Sequence, residues 1–302
     1  FMKVSDYLSR EEVAYFTSKN NWIAASWVIF NWVYIAAIFA LLAAYPNLLT
    51  ILVALVLFAG RQLGLSVLMH DCGHNTFFSS KRANEIIGQW FCALPVLNDQ
   101  PSYAKGHLNH HRLAGTHEDP DLPNYQAYPV SKDSFRRKVI RDLTGQTGFK
   151  LVSYVVQSAM GIFRQETRER AMPFAKEVFV QLVIFAVLYS LGIGWTFLVW
   201  FASFLTTFML VVRIRQVAEH AHTPNLYDPD PRLNTRTIDA PWWQRLVFAP
   251  FGVNYHMEHH FMASVPCYRL KALRKHLRDK GALDGVPEFN GYGALLRHAV
   301  AA

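Results

Sequence analysis

The chain has 302 residues, 52% of them hydrophobic and 17% charged, with a formal charge of +8. Its apolar residues gather into long runs instead of scattering as a soluble core would, so an ordinary soluble domain is set aside, although length alone allows one large domain or two small ones. The basic residues follow those runs and line no aromatic groove, which argues against nucleic acid as a partner. The three cysteines, Cys72, Cys92 and Cys267, form neither a disulfide framework nor a zinc-type pair.

Residues 1–21 form a polar lead-in without the pattern of a secretory signal, and an interfacial helix is expected there. A membrane span needs about 20 mostly apolar residues. Residues 22–44 supply one with no formal charge, and Tyr45-Pro46-Asn47 turns the chain into a second at 48–69, interrupted only by Arg61 and Gln62. An ionisable group inside a span is a functional candidate by default; Arg61 is expected to snorkel or to face a polar interior. The apolar stretch 178–212 is broken by Leu191-Gly192-Ile193-Gly194, which predicts two further spans at about 176–191 and 195–212. Two shorter stretches, Ala83–Leu97 and Phe149–Phe163, carry polar residues and are expected to lie in the interface. Prolines make the Thr116–Pro129 region extended or turning.

Neither inter-span turn is charged, so the positive-inside rule places both termini, and the long segments 70–175 and 213–302, in the cytoplasm. The expected fold is an all-α membrane protein: four transmembrane helices in two hairpins, with a cytoplasmic helical cap. Residues 1–302 are expected to form one integral-membrane domain.

The histidines are the chemical signal. Eight of thirteen fall in three clusters: His70 and His74; His107, His110 and His111; His256, His259 and His260. Spacings of three or four recur, which put imidazoles on one helix face, about 5–6 Å apart at Cβ. His220 stands alone beyond the fourth span. Two spans, an even number, separate the second cluster from the third, so all nine residues reach one side of the membrane. Nine neutral nitrogens exceed one ion's needs and suit two ions with four or five ligands each, drawn from the metals that favour imidazole. His117 and His222, beside cluster residues, are weaker candidates, and His276 and His298 are read as ordinary surface histidines. Asp71, Glu118, Asp119, Asp121, Glu219 and Glu258 are candidates to accept the second ring N–H of a ligand. Gln216, four residues before His220, is a possible tenth ligand or a hydrogen-bonding neighbour. No catalytic residue is singled out beyond the metal ligands.

These boxes, with His70-Asp71-Cys72-Gly73-His74-Asn75, Ala218-Glu219-His220 and Asn254-Tyr255-His256-Met257-Glu258-His259-His260, resemble the membrane fatty acid desaturase and hydroxylase superfamily, notably its bacterial members. The resemblance runs from about the second span to residue 275. It implies two non-haem irons at the cytoplasmic mouth of the helix bundle, O2 as co-substrate, and His220 as ninth ligand. Gln216 stands where some relatives have an Asn. Electrons would come from a separate donor of ferredoxin, rubredoxin or cytochrome b5 type, since the chain has no haem motif or ferredoxin-type cysteine run. A bacterial inner-membrane location and a lipid or other hydrophobic substrate follow from the same resemblance. The primary expectation is an acyl-lipid desaturase. Its rivals are a hydroxylase or ketolase on a lipid, carotenoid or other hydrophobic metabolite, and a histidine-rich metal transporter or sensor. The basic segment Arg269–Lys280 is expected to dock an acidic donor or anionic headgroups, or simply to be solvated.

Overall fold

The computed structural model describes residues 2–160 and 167–301. Among the described residues, four helical stretches are long and apolar enough to cross a membrane: Arg10–Ala44, Leu48–Gly73, Ala171–Ser190 and Thr196–His220. In the first, the apolar helix is Asn21–Ala44, whose start is fixed by the Asn20 side chain accepting from the Trp22 and Ile23 amides. Asn47 opens the second span the same way, accepting from Thr50. The spans pair as two antiparallel hairpins, as the two short uncharged turns require.

The second span is the central one. Along it Phe58, Leu63, Leu65 and Leu68 are fully buried. Its polar residues are absorbed internally: Gln62 donates to the Trp200 carbonyl at 3.0 Å, while Ser203 and Thr207 of the fourth span donate to the Leu55 carbonyl at 2.8 and 2.6 Å. The fourth span is broken where those hydroxyls cluster. Thr206 leaves helical geometry (φ −120°, ψ −85°), dividing helix Thr196–Leu205 from helix Thr207–His220. The second of these projects beyond the span and carries His220 into the cap.

Arg61 does not snorkel. It is 3% exposed and bonds inward, to Asn31 Oδ1 at 3.3 Å and to the Leu246 carbonyl at 2.8 Å. The loop around Leu246 comes this close because position 60 is glycine: a Cβ there would sit 2.3 Å from the Leu246 oxygen.

The stretch 83–97 does not simply lie on the surface. It forms helix Lys81–Ile87, one π-helical turn at Gly88–Ala93 and a 3-10 turn at Leu94–Val96. Its inner face is buried against the end of the second span. A Cβ on Gly88 would stand 2.6 Å from that of Cys72. The later stretch forms helix Gln146–Ala159, a wall of the cavity described below, and residues 161–163 of the expected segment lie outside the described residues. The N-terminal lead-in packs against the cap: Phe16 meets His276, and the Asn20 amide donates to the Tyr268 hydroxyl at 2.8 Å. Two short parallel strand pairs, Val130–Ser131 with Val300–Ala301 and Ile238–Asp239 with Phe289–Asn290, tie the end of the chain to the cap.

Candidate metal centre

Each histidine box sits where a helix ends or begins. His70 lies in the last turn of the second span and His74 just past its end. The second box rides on helix Gln100–Leu113, started by Asp99, which accepts from the Ser102 amide at 3.2 Å. The third box is the short helix His256–Phe261, and His220 is the last residue of helix Thr207–His220. All nine imidazoles converge.

They divide into two groups. His70, His74, His107, His111 and His259 form one, and His110, His220, His256 and His260 the other; within each, the nitrogens available to a ligand lie within 4.8 Å of one another. Both adjacent pairs, His110/His111 and His259/His260, are split between the groups. Consecutive residues on an α-helix point about 100° apart, so a helix running between two centres offers one imidazole to each. The groups touch where His111 stacks on His260, with ring centroids 4.2 Å apart.

The nitrogen geometry suits metal ions. Nε2 atoms face each other at 3.0 Å (His107 and His111) and 2.9 Å (His111 and His259) in one group, and at 2.9 Å (His220 and His256) in the other. Two ligands at right angles with bonds of about 2.1 Å would stand about 3.0 Å apart. The Nε2 atoms of His74 and His260 are buried and have no hydrogen-bond partner in the protein, a costly state unless a cation takes the lone pair. The outward Nδ1 atoms explain why Nε2 faces inward. That of His110 meets Asp119 at 2.8 Å, that of His70 meets Asp71 at 3.2 Å, and that of His220 meets the Asn234 carbonyl at 3.1 Å. An acceptor at Nδ1 fixes the tautomer that leaves Nε2 free to ligate.

Burial, then the neighbouring imidazoles, holds His107, His111, His256, His259 and His260 below the ordinary histidine range. For His74 burial and His70 outweigh the opposing pull of Asp71, and its value falls to about 3. All are therefore neutral at physiological pH, the form that lends a lone pair. For Asp119, burial pushes upward, but hydrogen bonds from His110, Tyr125 and the Asp121 amide bring it below its usual value, so it remains an anion.

Among the acids, Asp71 and Asp119 sit on ligand rings, and Glu219 lies 3.5 Å from His256 Nδ1 while clamped by Arg215 at 2.7 and 3.0 Å. Glu258 does not contact an imidazole nitrogen. Fully buried, it accepts from the Thr237 hydroxyl and from Arg274 at 2.6 Å, which fastens the third box to helix Cys267–Asp279. Its spacing puts it on the opposite face of so short a helix. Asp121 is half exposed, 3.8 Å from His110 Nδ1, and Glu118 is exposed. Gln216 faces the adjoining cavity and makes no hydrogen bond to a described side chain or carbonyl. His117 stacks on Tyr227, and His222 lies against His298 with the rings tilted, outside both groups. Arg215, Tyr125 and the Asn234 carbonyl were not anticipated. Only Arg215 left a trace, its i,i+4 spacing from Glu219; a carbonyl leaves none.

A cavity of about 510 Å³ opens against His107, His110, His220 and His256. Toward the spans its walls are apolar, from Leu63, Val96, Phe204, Phe208 and Met209; beside the histidines they include Asp121, Gln216 and the Arg215–Glu219 pair.

Four apolar helices thus carry a histidine-lined centre able to hold metal, and comparison with known proteins identifies the class. The fatty acid desaturase family profile matches residues 46–291, and the chain belongs to that family, which is one of integral membrane oxidoreductases. It is 26% identical over 274 residues to the dihydrorhizobitoxine desaturase of Bradyrhizobium elkanii, covering 82% of this chain and 76% of that one. It is 25% identical over 249 residues to an sn-1 oleoyl-lipid 12-desaturase of Picosynechococcus, covering 77% and 70%. A sphingolipid delta(4)-desaturase/C4-monooxygenase of Mus musculus is 28% identical over 225 residues, covering 70% and 60%.

Proposed function

We propose that this chain, as one integral-membrane unit, is an O2-dependent di-iron desaturase that removes two hydrogens from adjacent carbons of a fatty acyl chain or lipid. The observation carrying this reading is the five-and-four partition of nine histidines beside a cavity that is apolar toward the membrane. His70, His74, His107, His111 and His259 would hold one iron, and His110, His220, His256 and His260 the other. Bound there, two irons and O2 would supply the oxidising power to take hydrogen from an unactivated methylene. The protein's own part is positional. Asp71, Asp119 and the Asn234 carbonyl hold Nδ1 protons outward, so the Nε2 lone pairs stay aimed at the centre. Phe204, Phe208 and Met209 exclude water and align an alkyl chain, while Gln216 and Asp121 offer hydrogen bonds to any polar group near the reacting carbons.

The site is proposed to face the cytoplasm of a bacterial inner membrane, where a ferredoxin, rubredoxin or cytochrome b5 type donor delivers electrons. Labelling cysteines placed near His107 and His256 should mark both from the cytoplasm; labelling from opposite sides would refute the orientation.

Hydroxylation by the same site is the second reading, since a relative's name covers both a desaturase and a C4-monooxygenase. One experiment separates the readings: mass spectrometry of lipids and small metabolites from cells expressing wild type or His111→Ala. A product lighter by two hydrogens, absent with the variant, is expected; a product heavier by one oxygen would select hydroxylation.

A further inference from the structure

A second cavity, of about 660 Å³, lies between the first span and the loop that carries Leu246. Three cations line it, Arg61, Arg245 and Lys271, and no carboxylate does. Arg61 is the telling residue. It is a buried cation inside a membrane span, and among the described residues no acid pairs with it; its partners are one amide oxygen, one carbonyl and the faces of Tyr34 and Phe251. Its Nε is buried without a hydrogen-bond partner. A buried charge without a counter-ion is strongly destabilising, and here Arg245 and Lys271 add charge of the same sign. Both are exposed, and neither makes an ion pair among the described residues. The other cations of the segment Arg269–Lys280 are occupied: Arg274 and Arg278 pair with Glu288, Lys275 with Asp279 and Lys280 with Glu12, while Arg269 donates to the Ser18 carbonyl and lies over the Tyr15 ring. Lys271 is left over, at this cavity.

The remaining wall identifies the anion's source. Phe30 of the first span lines the cavity and is 54% exposed, so the mouth opens on that span's lipid-facing side. Trp242 and Trp243, just before Arg245, are 68% and 56% exposed, and Trp27 stacks on Phe251 within the cavity. Exposed tryptophans next to unpaired cations mark headgroup depth. We infer that this cavity binds the phosphate of an anionic membrane phospholipid, which supplies the counter-ion that Arg61 lacks. The site is separate from the histidine centre and does not depend on the desaturase reading.

The test is native mass spectrometry of the full chain in detergent, titrated with phosphatidylglycerol or with phosphatidylcholine of the same acyl chains. Phosphatidylglycerol should bind roughly thirtyfold more tightly, the scale set by two basic side chains at a membrane surface. Arg61→Gln could fail by misfolding, so the decisive variant is the exposed pair R245Q/K271Q, in which the preference should fall to within about twofold. The equally charge-reduced K81Q/R82Q should retain it. Wild type without the preference, or R245Q/K271Q with the preference intact, would overturn the site. Inorganic phosphate binding as tightly as phosphatidylglycerol would overturn the lipid as its source.

Discussion

Asp119 shows how much a single carboxylate outside the ligand set contributes. One oxygen meets His110 Nδ1 and the other accepts from Tyr125, so His110 can present only its Nε2 to the centre. Replacing Asp119 by Asn keeps the shape but removes the charge that raises the imidazole's basicity. Metal affinity of the four-histidine group should fall roughly 10–100-fold, read as metal bound per protein during equilibrium dialysis. Glu258→Gln should behave differently. Glu258 holds Thr237 and Arg274 and no ligand ring, so metal affinity should persist while thermal stability falls. The sequence could not separate these two acids. Each lies close in the chain to a ligand, and only the direction of a short helix and the return of the Asp119 loop decide which one reaches a nitrogen.

At the scale of elements, helix ends do most of the positioning. The second span brings His70 to the membrane surface, and its small residues let other segments approach. Gly60 is the clearest case, because a side chain there meets the Leu246 backbone, which has little freedom to retreat. Gly60→Ala should destabilise the protein by about 1–3 kcal/mol, measured by thermal unfolding in detergent. An unchanged midpoint would mean that the 246 loop moves aside freely. The break at Thr206 belongs to the same scale. Hydropathy reads residues 195–212 as one apolar run, but Ser203 and Thr207 send their hydroxyls to Leu55, and Thr206 leaves helical geometry before helix Thr207–His220 begins. The stretch 83–97 also exceeded its sequence reading: its polar residues serve contacts with the cap, as where Gln89 donates to Asp99 at 2.9 Å.

For the molecule as a whole, the buried histidines couple stability to protons and metal. Their folded values lie below the ordinary 6.5, so the unfolded chain takes up protons first as pH falls. The sign follows: stability is full above about pH 6.5 and declines below it, by about 1.4 kcal/mol per histidine per pH unit. For His74 the decline continues toward about 3. Metal-free protein should therefore unfold at progressively lower temperature between pH 6.5 and pH 5. Stripping metal with a chelator at pH 7.5 should also lower the unfolding midpoint, because an ion that binds only the folded site stabilises it. A midpoint independent of both would contradict a metal-filled centre.

The sequence by itself determined what depends on short-range order. Four apolar runs, two uncharged turns and histidines three and four apart are local properties, and they were enough to give the helical class, the sidedness argument and eight of the nine residues that meet; His220 came from the resemblance. The even number of spans between the second and third boxes allowed them to meet. Tertiary structure alone decided how the nine are shared. The division of His110 from His111, and of His259 from His260, depends on how each helix is rotated about its axis as it passes between two centres, and packing against the second span and the cap sets that rotation. It also decided that the Asn234 carbonyl would orient His220 and that Arg61 would lie buried without an acid. Both depend on loops arriving from far along the chain, and no local pattern encodes where a loop will arrive.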